Sequence, residues 1–410
     1  MIKIALISDI HFGKDGRGDF TIPKDGISLG EMNTEKGMGA DLITAFKELE
    51  PEYLFIAGDL TSVGSPEEYF YCEHKILDIV DQAGIDRKKI IWCIGNHDND
   101  WSISMLSDRY KENKSEGIKK IAIKKYASIA TSVVEKNIEE LPIANELGPV
   151  PASGIYKDNK MIVFILNSAT TCLHDKKVDH GEITETQLHW LEKQIDRYKS
   201  DNRWKIVLLH HHPFNYPFPE FGVDFSLLSD GSEFQELIGK GGIQLVLHGH
   251  RHHPRCKTHN ESNWKNPISF ICAGSLSVCE KQREGGDIPN TFHLLELDEK
   301  EIGLLQLKSY EYLPGSGWAL VSKRGATVPI DSVMKLGKII NERDLLEAIN
   351  AIANTTDPVI SLEWEELDER LQYRACDEIN KLIKDTLQDR FIVKANLPTN
   401  LTLKRKGETE

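Results

Sequence analysis

Seven places along this chain carry the side chains that divalent metal ions bind. They are Asp9, His11, Asp59, Asn96, one histidine of the triplet His210, His211 and His212, and the pair His250 and His252. Carboxylate, imidazole and amide oxygen together suit borderline divalent ions, and two such ions a few ångströms apart need a carboxylate between them to screen their repulsion. In D-x-H, Asp9 and His11 fall on one face if the segment is extended, so both can reach one ion. Gly58 lets the backbone turn closely enough for Asp59 to reach between two ions. In G-N-H-D, Asn96 can offer its amide oxygen, His97 then projects as a protonated non-ligand beside the substrate, and Asp98 can hold its ring. His250 and His252 in H-G-H-R-H repeat the spacing of Asp9 and His11.

The chemistry of such a set is hydrolysis at phosphorus. Two ions polarise phosphoryl oxygens and lower the pKa of a shared water, so no basic side chain is needed to make the nucleophile. His97 would stabilise or protonate the leaving oxygen. His248 and His253 read as neighbours of the ligands. His74, His174, His189, His259 and His293 read as ordinary structural histidines.

The elements that position these residues are short apolar runs, each stopping at a polar cluster: IKIALISD, EYLFIAGD, KKIIWCIGN, MIVFILNS, WKIVLLHHH, IQLVLHGH and PISFICAGS. They read as buried strands, and the site residues fall at their carboxyl ends, where open α/β sheets bind ligands. Helical patterns lie between them, as in ETQLHWLEKQI with its stripe of Leu188, Leu191 and Ile195. The class is therefore α/β. Residues 13–39 form a long Gly-rich and charged loop, expected as a substrate-side lid. Residues 104–148 read as mostly helical with a lysine-rich solvated face. After about residue 310 the pattern changes to a small, mainly helical region: Asn341 caps a segment with Leu345, Ile349 and Ile352, and a second stripe runs from Leu367 to Leu387. These helices are expected to pack on the main domain or on a second copy of the chain. LKRKGETE is expected as a frayed tail.

With 410 residues, 40% of them hydrophobic, the chain suits one large domain plus an appendage. A net charge of −14 repels polyanions, so a nucleic-acid substrate would need local positive charge. The seven cysteines are scattered and never spaced as CxxC, which argues against a disulfide framework or a zinc ribbon. The apolar run in MIKIALISDIH is too short for a signal-peptide core or a membrane span, and a cytoplasmic protein is expected.

The ordered series DxH, GDL, GNHD, HHP and GHxH resembles the calcineurin-like metallophosphoesterase superfamily. GDLTSVGSPEEY and GEITETQLHWL further resemble its cyclic-nucleotide phosphodiesterase branch, and the match covers about residues 1–310. The resemblance implies a four-layer αββα sandwich of two mixed sheets flanked by helices. It implies that Asp9, His11, Asp59 and His252 hold one ion, and Asp59, Asn96, His211 and His250 the other. His211 follows from aligning ligand-His-Pro on His211, His212 and Pro213, with a slip of one to His210 left open. Manganese is the expected metal in vitro, with Fe, Zn, Co or Ni as other choices. A small nucleotide diester is the expected substrate. A nuclease, a phosphomonoesterase and an inactive scaffold are the alternatives, although Asp59 is followed by LTSVG and not by the arginine-containing element of Ser/Thr protein phosphatases.

Overall fold

In the computed structural model, the described residues are 1–22, 37–99, 144–150, 152–170, 180–214, 227–229, 231–279, 288–322, 330–354 and 357–406. All seven apolar runs form strands. The elements are β1 (Ile2–Ile7), α1 (Met38–Leu49), β2 (Tyr53–Ala57), α2 (Pro66–Ala83), β3 (Ile90–Cys93), β4 (Glu146–Leu147), β5 (Gly154–Lys157), β6 (Met161–Ile165), α3 (Glu185–Arg197), β7 (Trp204–Leu208), α4 (Gly231–Gly241) and β8 (Leu245–His248). They continue with β9 (Pro254–His259), β10 (Ile268–Ala273), β11 (Thr291–Leu297), β12 (Leu305–Leu313), β13 (Gly317–Leu320), β14 (Val333–Leu336), α5 (Glu342–Ile352), β15 (Val359–Leu362), α6 (Cys376–Leu387), β16 (Phe391–Asn396) and β17 (Asn400–Arg405).

Two seven-stranded mixed sheets face each other. The first runs β13-β12-β11-β1-β2-β3 with β14 also on β12, and the second runs β4-β5-β6-β7-β8-β10-β9. Because alternate residues of a strand point to opposite faces, a strand buried on both sides must be apolar throughout. In β1, Ile4 and Leu6 enter the core between the sheets, whereas Ala5 and Ile7 meet α1 and α2. In β7, Ile206 and Leu208 face the first sheet, and Val207 packs with Leu188, Leu191 and Ile195 of α3 and Phe234 of α4. The result is the αββα sandwich. Each such fully buried aliphatic side chain contributes about 1.5–3 kcal/mol of hydrophobic stabilisation.

Helix boundaries follow local chemistry. Ser65 accepts a hydrogen bond from the Glu68 N–H at the start of α2, Pro66 sits in its first turn, and Gly84 ends it at φ 76°. Both βαβ connections into β2 and β3 leave β1, β2 and β3 parallel, and β6, β7, β8 and β10 are parallel in the second sheet. The carboxyl ends of five strands therefore converge on one edge.

The carboxy-terminal part differs from expectation. The proposed division at residue 310 falls inside β12, and the first sheet runs on to Leu336. Beyond it, α5 and α6 do form, with Asn341 capping α5 by accepting from the Asp344 N–H. A three-stranded sheet, β15-β17-β16, joins them, so the region is α+β and not mainly helical. The reason is that Leu401 and Leu403 alternate with polar residues at period two, and this places them in a core with Ile349, Ile379 and Ile383. LKRKGETE accordingly begins in β17 and not in a frayed tail. The apolar faces of α5 and α6 are spent on this core. The expected lid falls largely on residues 23–36, and the expected lysine-rich helices on residues 100–143, both outside the described residues.

Candidate metal centre

Asp9 and His11 lie beyond the end of β1, and the extended geometry expected of D-x-H does not hold. Their φ angles are 51° and 47°, and Asp59, His250 and His252 are also left-handed at 53°, 84° and 57°. Such angles are uncommon for residues with a Cβ and persist only where the surroundings enforce them. Here the enforcement is a braid of backbone hydrogen bonds between loops: Asp9 N–H to Gly58 O, His11 N–H to Asp59 O, and Gly249 N–H to the His210 carbonyl. Ser275 Oγ donates to the Asp9 carbonyl at 2.9 Å. Gly249 is required by contact, since a Cβ there would lie 1.9 Å from Ser8 Oγ and 2.6 Å from Asp9 Oδ2.

These loops gather two groups of donor atoms around a shared carboxylate. On one side, Asp9 Oδ1 is 3.3 Å from His252 Nε2, and His11 Nε2 is 3.3 Å from Asp59 Oδ2. On the other, Asp59 Oδ2 is 3.1 Å from His210 Nε2, and Asn96 Oδ1 is 3.2 Å from His210 Nε2 and 3.0 Å from His250 Nδ1. Six of the seven expected residues are thus brought together: Asp9, His11, Asp59, Asn96, His250 and His252.

His211 is the exception. Its neighbour His210 faces Asp59, whereas His211 Nδ1 lies 2.9 Å from Ser168 Oγ. β7 ends at Leu208 and places His210 at the shared edge, where Nδ1 is 2.7 Å from the Ala57 carbonyl, while the His211 ring lies 4.4 Å from that of His250. The spacing before proline carried no information about which imidazole faces inward.

Asp98 also departs from its expected role. Its Oδ1 accepts from Thr61 N–H at 3.0 Å and from Thr61 Oγ1 at 3.2 Å, and its Oδ2 accepts from Gly95 N–H at 2.9 Å. It braces the loop that carries Asn96. The His97 ring is held instead by the Ser62 carbonyl, 2.8 Å from Nδ1. A carbonyl can only accept, so Nδ1 carries a proton. Burial and then the His11 charge press the His97 pKa down to about 4. Ser62, Thr61 and Ser168 were not singled out in the sequence, since isolated hydroxyl residues carry no motif.

The electrostatics call for cations. Burial alone would raise the Asp59 carboxyl, yet the facing imidazoles, the His210 charge foremost and the hydrogen bond of His11 with it, hold it well below its ordinary value. Against their own burial, facing carboxylates push His11 up to about 10 and His210 up to about 9. Asp9 Oδ1, both His11 ring nitrogens and Asp59 Oδ2 are buried without a hydrogen bond of proper geometry. Buried polar atoms that converge without such bonds are costly unless something else satisfies them. Nitrogen and oxygen donors around a shared carboxylate fit a pair of divalent ions.

A family model described as calcineurin-like phosphoesterase matches residues 2–254. The chain belongs to the calcineurin-like phosphoesterase family. Membership of that family makes it a hydrolase of phosphoesters, one whose family uses a binuclear divalent metal centre. This calcineurin-like phosphoesterase is 23% identical over 256 residues to a probable cyclic nucleotide phosphodiesterase of Synechococcus, covering 61% of this chain and 73% of the relative. It is 23% identical to a 3',5'-cyclic-nucleotide phosphodiesterase of Nostoc, covering 68% of this chain and 79% of that one. To a probable cyclic nucleotide phosphodiesterase of Rhodococcus erythropolis it is 24% identical, over 51% of this chain and 54% of the relative. Among solved structures it is similar to a purple acid phosphatase from yellow lupin, with 12% identity, a TM-score of 0.48, and coverage of 84% of this chain and 54% of that chain. No helix among the described residues is long and apolar enough to cross a membrane.

Proposed function

We propose that this chain is a metal-dependent phosphodiesterase acting on a small nucleotide diester, with a cyclic nucleotide as the preferred class. The observation that supports the reading is Asp59 placed between two donor groups, 3.3 Å from His11 Nε2 and 3.1 Å from His210 Nε2. Asp9, His11, Asp59 and His252 would hold one ion, and Asp59, Asn96, His210 and His250 the other. Manganese is our choice for activity in vitro, and the mixed donor set also accommodates Fe, Zn, Co or Ni. When bound, such a pair supplies Lewis acidity to the phosphoryl oxygens and lowers the pKa of water at the site. The relatives' printed names favour the cyclic-nucleotide class, and the −14 charge of the chain favours a small substrate over a polyanion.

The protein's own contribution is orientation and proton handling. The Ser62 carbonyl commits Nδ1 of His97, so Nε2 is the ring atom that takes a proton from, or returns one to, the substrate. Asp98, through Thr61 and Gly95, keeps the Asn96–His97 turn in place. The six described cysteines are free thiols, which agrees with a reducing compartment such as the cytoplasm.

The test is hydrolysis of an aryl phosphodiester, its monoester, a set of cyclic nucleotides and a DNA oligonucleotide, with each metal and with chelator. The reading expects diester cleavage that exceeds monoester cleavage, loss with chelator, and loss in Asp59→Asn of activity and of the two ions that Asp59 would hold. Faster monoester or oligonucleotide cleavage would replace it by a phosphatase or a nuclease.

A further inference from the structure

We propose that His212, His248 and Cys272 form a separate metal site for a d10 cation of thiolate and imidazole preference, Zn2+ or Cu+. The three residues come from different elements: His212 follows β7, His248 ends β8, and Cys272 lies in β10. The parallel register of β8 and β10 sets Cys272 directly beside His248. The triplet loop then brings His212 over both, with the His212 and His248 rings 4.7 Å apart at 72°. One donor atom from each of the three lies within 4.8 Å of the other two. Residue exposures are 1% for His212 and 0% for His248 and Cys272.

The donor chemistry separates this group from the metal centre. Each of the carboxylate-containing groups offers nitrogen and oxygen, whereas this one offers two nitrogens and a sulfur with no carboxylate, a set that selects Zn2+ or Cu+ over Mn2+. The spacing suits a single ion, since metal–nitrogen bonds of about 2.0 Å and metal–sulfur bonds of about 2.3 Å place donors roughly 3–4 Å apart. On binding, the S–H bond breaks, its proton leaves to solvent and a sulfur–metal bond forms, with no change of oxidation state. The function of such an ion at this place would be to tie the ends of β7, β8 and β10 together behind the loops that carry His210 and His250.

Sulfur is the distinguishing mark. The full chain is produced in zinc-supplemented and, separately, copper-supplemented medium, as wild type, as Asp59→Asn to disable the carboxylate-bridged pair, and as Asp59→Asn with Cys272→Ser. Metal content is measured together with X-ray absorption at the metal edge. The Asp59→Asn protein is expected to retain a stoichiometric ion with a sulfur neighbour, and the double variant to lose it. Which medium loads it decides between Zn2+ and Cu+. An Asp59→Asn protein without metal in both media, or a retained metal without sulfur, overturns the proposal. If the variants do not fold, the wild-type absorption edge decides by itself, because the paired groups contain no sulfur. Loss of hydrolysis in Asp59→Asn reports on the phosphodiesterase reading and leaves this outcome separate.

Discussion

His210 Nε2 lies 3.1 Å from Asp59 Oδ2, while the adjacent His211 turns its Nδ1 to Ser168 Oγ at 2.9 Å. Adjacent side chains at the end of one strand thus have different work. His210→Ala should remove about half of the bound metal and nearly all activity, as expected for a lost ligand. His211→Ala, which touches the ligands through Ser168 and packing, should weaken metal binding by about 10–100-fold without removing an ion outright. Metal analysis of the two purified variants checks this, and the reverse order would restore the alignment on His211.

His97 is the residue whose role metal content can separate from that of a ligand. Its backbone N–H donates to Asp59 Oδ1 at 2.8 Å, and its ring sits 4.4 Å from that of His11. His97→Ala should lower turnover by roughly 10²-fold or more while the metal stays near the wild-type level. Metal loss equal to that of Asp59→Asn would place His97 among the ligands.

Gly58 holds the loop between β2 and Asp59 at φ 89°, and a Cβ on it would lie 2.5 Å from His210 Nδ1. Gly58→Ala should cost roughly 1–2 kcal/mol for the left-handed backbone and about 1–3 kcal/mol for overpacking. Displacement of His210 should lower metal occupancy as well. Chemical denaturation and metal analysis measure both, and an unchanged midpoint would mean that the loop accommodates the methyl group.

His293 supplies the pH dependence that can be read away from the site. Buried in β11 with Nδ1 3.0 Å from Ser309 Oγ, it is pressed by burial from 6.5 down to about 4. The unfolded chain therefore binds this proton first. Stability is unaffected by it above the unfolded value near 6.5 and is lost as pH falls towards about 4, by roughly 3 kcal/mol in all. Replacing the imidazole by a group that does not titrate, as in His293→Gln, should make the unfolding midpoint less sensitive to acid over that window. Parallel curves for variant and wild type would exclude His293 as the cause.

Leu403, fully buried, belongs to the carboxy-terminal core with Ile349, Ile379 and Ile383. Leu403→Ala should destabilise that core by about 2–5 kcal/mol. Hydrolysis at ambient temperature should stay near wild type, because this core contains none of the proposed ligands. A loss below about 1 kcal/mol would show that the segment does behave as a tail.

The amino-acid sequence by itself determined the strands that carry the site and the kinds of residue at their ends. Runs such as IKIALI and WKIVL are apolar at every position, and only burial on both faces explains that pattern. Six of the expected donor residues, from Asp9 to His252, were legible because metal chemistry limits the residue types and each follows such a run. Tertiary structure decided the rest. The choice of His210 over His211 depends on which imidazole the end of β7 turns towards Ala57 and Asp59, a matter of one residue in register that three identical side chains cannot encode. The left-handed backbone at Asp9, His11 and Asp59 depends on hydrogen bonds between loops far apart in the chain, such as Asp9 to Gly58 and His11 to Asp59, so the local spacing pointed to the right residues through the wrong geometry. Asp98 was misread for a similar reason: Gly95 is in its own turn, but its other partner, Thr61, becomes a neighbour only when β2 and β3 pair. The carboxy-terminal sheet stayed hidden because its strands are open to solvent on one face, so their apolar signal is half that of the strands in the sandwich.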